Sequence, residues 1–466
     1  MLPDPSLLDP ENWENGVLPE MGPRLGIFNH GFKEYCFSRN DMNLPQGFYP
    51  SGPVLSQEDW QYIIDYYTSV SPDSLGPLQR QHRVSENVNL FTVETPSIKM
   101  QPPTSCFVRV DTTVFPHQLL VADVISKNLF RFNDHLSLLD TVKTISPPVD
   151  MEIRTHELVT CNIGVMNPNN GKYGSIGKIN VDERGKMIID TTLKIENLAR
   201  PVQLTSADLN KDGRMDYVVC EFGHLVGALS WMENKGNKFE RHVLRAFPGA
   251  IQSYIRDVNK DGLPDIWVLF SQGEEGVFLF INKGNGEFSE KQVLRFQPIF
   301  GSSSFELVDF DKDGVEDIVY TCGDNADYSP ALKPYHGIYI FINDGHNNFQ
   351  QKYFFPMYGC FKAIARDFDG DGDLDIAAIS FFADYTRHPE ESFIYLENKG
   401  NFDFLPYTIP NTSSGRWLTM DAGDIDGDGK TDLVIGNFSI APASIKAPVG
   451  WKQGPLFIVL KNIMIK

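Results

Sequence analysis

The sequence predicts an all-β protein: a seven-bladed β-propeller, with six or eight blades as alternatives, carrying a small α-helical N-terminal segment. Three observations carry that prediction. A nine-residue acidic pattern, Asp-x-(Asp/Asn)-x-Asp-Gly-x-x-Asp, recurs five times between Asp208 and Asp432, with first aspartates 49 to 58 residues apart. Each copy runs into a short β-branched and aromatic stretch, such as Asp265-Ile-Trp-Val-Leu-Phe270, that reads as a buried strand. Four units then carry an Asn-Gly-rich turn, at Asn234, Asn282, Asn343 and Asn398, of the kind that supplies the positive φ angles of tight hairpins. A period near fifty fits four-stranded blades; helical repeats have shorter periods and different residues.

Taken in chain order, residues 1–75 stand apart: rich in Pro and aromatics, and without the repeat. Asp9-Pro-Glu-Asn-Trp13 sets a cap residue and a proline at a helix start. Ser56 caps a second, amphipathic helix that places Trp60, Ile63, Ile64 and Tyr67 on one face. That aromatic stripe predicts a small cap packed on the propeller. Residues 76–105 form a linker, and the stretch around Leu90–Met100 is expected to supply a ring-closing strand, because the last unit runs out of chain before its fourth strand. Residues 106–466 make the ring. Its first two blades, about Cys106 to Pro201, keep the strand pattern at 118–124, 128–133, 149–158 and 174–182 but lack the acidic loops.

In the five acidic loops, hard oxygen ligands alternate around a glycine turn and converge on one cation. The ligand positions are one, three, five and nine. They are Asp208, Asn210, Asp212 and Asp216; Asp257, Asn259, Asp261 and Asp265; Asp309, Asp311, Asp313 and Asp317; Asp367, Asp369, Asp371 and Asp375; and Asp424, Asp426, Asp428 and Asp432. An EF-hand would require a bidentate Glu at position twelve, where this chain has Val219, Val268, Tyr320, Ala378 and Ile435. The expected ion is therefore Ca²⁺ in about five strand-joining sites, with a structural role.

These loops resemble those of the FG-GAP/VCBS repeat family of calcium-binding β-propellers, found in integrin heads and many bacterial surface proteins. The resemblance covers Pro201 to Asn462 well and Cys106 to Pro201 weakly. It implies the fold and the ion, and no particular activity. The N-terminal segment in turn resembles the haem domain of c-type cytochromes that precedes such propellers in some bacterial proteins, through Leu2-Pro-Asp-Pro5, Leu18-Pro-Glu-Met21 and the Trp60–Tyr67 helix. Cys-x-x-Cys-His is absent, so haem is not expected on this chain and Met21 reads as a core methionine before an axial ligand.

A net charge of −20 argues against nucleic acid and anionic membrane as partners. No apolar run reaches the ~18 residues of a membrane span. Six scattered cysteines give no disulfide framework. Carboxylate-rich module sites of about 10⁻⁴–10⁻³ M fill in calcium-rich fluid, so an extracellular, cell-surface or periplasmic setting is expected, with a signal and any haem site lying upstream of Met1. A monomer is expected.

Two connections on the face opposite the acidic loops are enlarged: Cys322–Gly337 and Phe382–Ser392. They are expected to bring Asp324, Asp327, Tyr328, Lys333, His336, Asp384, Arg387, His388 and Glu390 to one rim as a binding site. Three functions follow: an interaction module for a glycan or protein partner; an enzyme acting on carbohydrate or another small polar substrate, with His336 and His388 in acid/base roles; or a periplasmic electron-transfer component. Gly-x-Ser-x-Gly and zinc His clusters are absent.

Overall fold

The computed structural model describes residues 2–86, 89–325, 331–410, 412–440 and 450–464. It is mainly β, with seven radial blades. In chain order they span Ser105–Lys143, Pro148–Leu198, Pro201–Arg245, Ala250–Arg295, Ser302–Pro356, Cys360–Thr408 and Trp417–Asn462. Within each blade neighbouring strands are antiparallel, and the first strand lies innermost against the first strands of the flanking blades. The seventh blade takes its fourth, outermost strand from Phe91–Glu94, which pairs antiparallel with Phe457–Asn462. Both ends of the ring chain thus share one sheet, and no sheet edge is left facing its neighbour across an open seam.

The second strands explain the fold energetically. Asp216–Glu221, Asp265–Phe270, Asp317–Cys322, Asp375–Ser380 and Asp432–Asn437 are buried at every position. Both faces of these strands pack on neighbouring blades, so their sequences read as continuous apolar runs without alternation. Buried clusters straddle successive blades all round the ring, as where Trp267 and Leu269 of the fourth blade meet Phe305 and Tyr320 of the fifth. In the fourth blade the outer strand begins at Phe288, because the turn after Asn282 closes within five residues, Lys283 to Glu287.

The inner strands line the channel with polar side chains that staple blade to blade. Asp421 accepts the N–H of Val110 at 2.8 Å, Asp150 that of Leu204 at 3.1 Å and Glu152 that of Ser206 at 2.6 Å. Gln203 accepts from Ser253 at 3.1 Å, Gln252 from Phe305 at 3.2 Å and Glu306 from Ala365 at 2.8 Å. Inner first strands of adjacent blades do not pair with each other, so these side chains satisfy N–H groups that the channel would otherwise leave bare.

The N-terminal segment builds its own core. Its main helix runs Gln57–Val70, with the Ser56 hydroxyl accepting the Asp59 N–H at 3.0 Å. Trp60, Ile64 and Tyr67 face inward onto Leu8, Trp13, Leu18 and Tyr35, and Met21 packs at the edge of that cluster. The polar ends of the aromatics are satisfied: Trp60 Nε1 donates to Tyr35 Oη at 2.9 Å and Tyr67 Oη to the Pro3 carbonyl at 2.9 Å. Ile299, from the connection between the fourth and fifth blades, completes the cluster. Tyr335 Oη donates to the Leu7 carbonyl at 3.2 Å, and Asn170 to Asp41 at 2.9 Å. All three anchor points lie on blade connections opposite the acidic loops. Past the cap, Ser85–Glu86 adds a short parallel strand beside Tyr407–Thr408.

Candidate metal loops and the opposite rim

Each acidic loop joins the first and second strands of its blade, and the five share most of their internal architecture. In four of them the position-one carboxylate accepts the N–H groups of positions five and six: in the third blade Asp208 receives those of Asp212 at 3.0 Å and Gly213 at 2.9 Å. Asp367 differs and accepts only the Gly372 N–H, at 3.1 Å. The position-five carboxylate turns back onto the N–H of position seven, as Asp212 does with Arg214 at 2.9 Å. Two residues of every loop sit at positive φ. Position six is always Gly (φ 81 to 96°), while position four is Lys in three loops (φ 59 to 63°) and Gly370 or Gly427 in the others. A glycine is required at the former; at the latter lysine tolerates the left-handed conformation at modest cost.

Position nine is the most buried. Asp216, Asp265, Asp317, Asp375 and Asp432 are at most 1% exposed. Each carboxylate spans two elements. One oxygen takes the N–H of position two, the other the N–H of the Asn that ends the third strand: for Asp265 these are Val258 at 2.9 Å and Asn282 at 2.8 Å. Burial raises the pKa of all five, and neighbouring loop carboxylates push in the same direction in several. Asp375 is pushed up to about 7 and Asp432 to about 6.

Carboxylate oxygens converge within 4.8 Å of one another at Asp309, Asp311 and Asp317; at Asp367, Asp369 and Asp371; and at Asp424, Asp426 and Asp432. Asp367 Oδ1 is buried without a hydrogen-bond donor. An oxygen left without a donor in that position, among other hard oxygens at this spacing, suits a divalent cation such as Ca²⁺. The donor set therefore fits the ion. Some charge is already offset by side chains: Lys430 reaches Asp428 at 2.7 Å, Lys461 reaches Asp426 at 2.6 Å, and Lys312 crosses to Asp373 of the next loop at 2.6 Å.

The opposite rim divides the remaining sequence-selected residues. Arg387 and His388 are exposed, and His388 Nδ1 lies 3.1 Å from the half-buried Glu390. Asp324 is half-buried, whereas Asp327 and Tyr328 lie outside the described residues. Lys333, His336 and Asp384 are interior groups, only 3%, 0% and 7% exposed. The Tyr335 ring stacks on Phe300 at 4.9 Å and its hydroxyl donates to the Leu7 carbonyl of the cap, while the adjacent His336 is fully buried. Burial pushes the His336 imidazole well below its usual range, and Lys333 adds to the effect. A neutral, enclosed imidazole does not reach a substrate on the rim, so the acid/base role expected of His336 has no access path from that side. Asp384 organises its own turn, accepting the Arg387 N–H at 3.1 Å.

Sequence reasoning missed two features here. Glu275 is buried, accepting from the Ser302 N–H at 2.9 Å and the Ser302 hydroxyl at 2.6 Å, and burial pushes it up to about 7. Lys333, near Asp324 and Glu275, is held down to about 8 by its own burial. Arg80 of the linker grips Glu391 through two bonds, at 2.5 and 2.8 Å, and the Pro356 carbonyl at 2.9 Å. No local pattern marks Glu275 or Arg80, because their partners are distant in sequence. All six cysteines are free, and only Cys36 is exposed.

The fold is a seven-bladed β-propeller, and FG-GAP-like repeats are found within it. The FG-GAP-like repeat model matches residues 208–268, 257–320 and 367–435. A T-cell immunomodulatory protein homolog of Plasmodium falciparum (isolate 3D7) is 29% identical over 167 residues, 32% of this chain and 22% of that protein. This chain thus matches about a fifth of that relative's length. Among solved structures, BBS1N in complex with ARL6DN aligns with a TM-score of 0.46 at 11% identity, over 81% of this chain and 98% of that one. The N-terminal domain of Nup159 aligns with a TM-score of 0.46 at 11% identity, over 82% and 98%.

Proposed function

We propose that the chain is a calcium-stabilised β-propeller of an extracellular, cell-surface or periplasmic setting that serves as an interaction module for a glycan or protein partner. Calcium, held by the side chains at positions one, three, five and nine, would neutralise converging carboxylates and lock the first two strands of five blades. The observation that carries the metal reading is the unpartnered Asp367 Oδ1 among converging acidic oxygens. Metal analysis of the purified chain should find about five Ca²⁺ per molecule; finding none, with the same melting in chelator and in calcium, would refute it.

The interaction reading rests on the rim loop Phe382–Ser392. It projects Arg387 and His388 into solvent from a base that Asp384 and the Arg80–Glu391 pair hold rigid. A rigid base with exposed polar tips suits recognition, since little ordering entropy is lost on binding. Replacing Arg387 and His388 together by Ala should abolish binding on a glycan array or in partner pull-down while melting stays unchanged. Binding that survives this pair would place the site elsewhere.

A further inference from the structure

A cavity of about 210 Å³ opens between the outer part of the fourth blade and the fifth. Its walls are aromatic: Phe296, Phe300, Tyr320, Tyr339 and Phe341, with Leu294 beside them. That volume is below the about 300–1,000 Å³ of pockets for drug-sized ligands, so its occupant is a small ring.

The rings form two stacked pairs. Phe296 lies on Tyr320 at 3.9 Å with planes 13° apart, and Phe300 lies on Tyr335 at 4.9 Å with planes 22° apart. Phe296 and Phe300 are themselves near-parallel, their planes 17° and their centroids 6.4 Å apart, and Phe300 is half-buried. A turn closed by the Phe300 N–H on the Gln297 carbonyl at 3.0 Å fixes the two rings relative to each other.

The polar groups of the lining select the ligand. Tyr320 Oη is committed to Ser302 Oγ at 2.7 Å, which is itself held by Glu275, and Tyr339 Oη donates to the Tyr335 carbonyl at 2.6 Å. Gln297 Oε1 is buried and has no donor; among the described residues of the lining it is the one buried polar side-chain atom left so. An unpaired buried acceptor is costly, and a ligand that donates to it removes that cost.

We propose that this cavity binds a flat heteroaromatic ring carrying an N–H, which packs against Phe296 and Phe300 and donates to Gln297 Oε1. The site shares no lining residue with the acidic loops or with Arg387 and His388.

Indole is the probe, with indene as the ring of the same shape that lacks the N–H. Calorimetric titration of the whole chain should show saturable, one-to-one indole binding. Indene should bind about tenfold more weakly, the factor carried by 1.4 kcal/mol. Gln297→Leu should weaken indole by a similar factor and erase the preference over indene, and Phe300→Ala should remove binding, both with unchanged circular dichroism. No saturable indole binding at millimolar concentration overturns the proposal. So does equal affinity for indole and indene, or indole affinity that both variants leave intact. Should Phe300→Ala fail to fold, the near-isosteric Gln297→Leu decides by the indole-to-indene ratio alone.

Discussion

Replacing Asn282 by Leu should cost the propeller about 2–4 kcal/mol, whether or not calcium is present. The side chain is 1% exposed. Its Nδ2 donates to the Leu209 carbonyl of the preceding blade's acidic loop at 2.9 Å and to the Pro264 carbonyl at 3.2 Å, while Oδ1 accepts the Gly284 N–H at 2.9 Å. Leucine keeps the volume and removes all three bonds, each worth roughly 0.5–1.5 kcal/mol net. The equivalent residue of the preceding blade provides an internal control. Asn234 Nδ2 meets only the Met215 carbonyl of its own loop, at 3.2 Å, and Oδ1 the Gly236 N–H at 2.9 Å, both in exposed surroundings. Water replaces those partners, so Asn234→Leu should cost under about 1 kcal/mol. Urea unfolding of both variants, in calcium and in chelator, measures the difference. Equal losses at the two positions, or a loss below about 1 kcal/mol at Asn282, would refute the reading that this asparagine couples one blade's loop to the next.

Further outcomes follow from the same geometry. In chelator the protein should melt higher at pH 5 than at pH 8. Asp375 at about 7, Asp432 at about 6 and Glu275 at about 7 all lie above their unfolded values near 4, so their protonated forms favour the fold. That stability is full below the unfolded pKa and is lost as pH rises through about 6–7; higher melting at pH 8 without metal would contradict the sign. Saturating calcium should reverse the trend, because the ion favours the ionised carboxylates. Asp367→Asn with Asp371→Asn should lower the measured calcium content by about one per molecule, and an unchanged stoichiometry would remove that loop from the metal set. Ile299→Asp, which puts a charge into the cluster shared with the cap, should make residues 1–75 sensitive to limited proteolysis while the ring stays resistant. Unaltered cleavage would show that the cap is held by other contacts.

The fold was largely legible because a propeller repeats its instructions. The Asp-Gly loops recur in register, each is followed by an apolar run such as Ile266–Phe270, and the seven-blade count needed only the weaker pattern between Cys106 and Pro201 in addition. The rim was much less legible. His336 and Arg387 look alike as polar residues in long connections, yet one is enclosed and the other open. Beside His336, Tyr335 stacks on Phe300 and bonds to a cap whose sequence lies some three hundred residues away.

The sequence by itself determined the repeat, its blades and the five acidic loops, because local patterns of ligand spacing, turn chemistry and apolar runs suffice for them. Only the tertiary structure decided that the position-nine aspartates and the strand-ending asparagines are buried hydrogen-bond centres between elements. It also decided that the cap sits on the face opposite the loops and that Phe296 and Phe300 line a cavity beside an unpaired Gln297 Oε1. The physical reason is burial: desolvation and partner geometry are set by residues far apart in the chain, and a one-dimensional pattern carries no record of them.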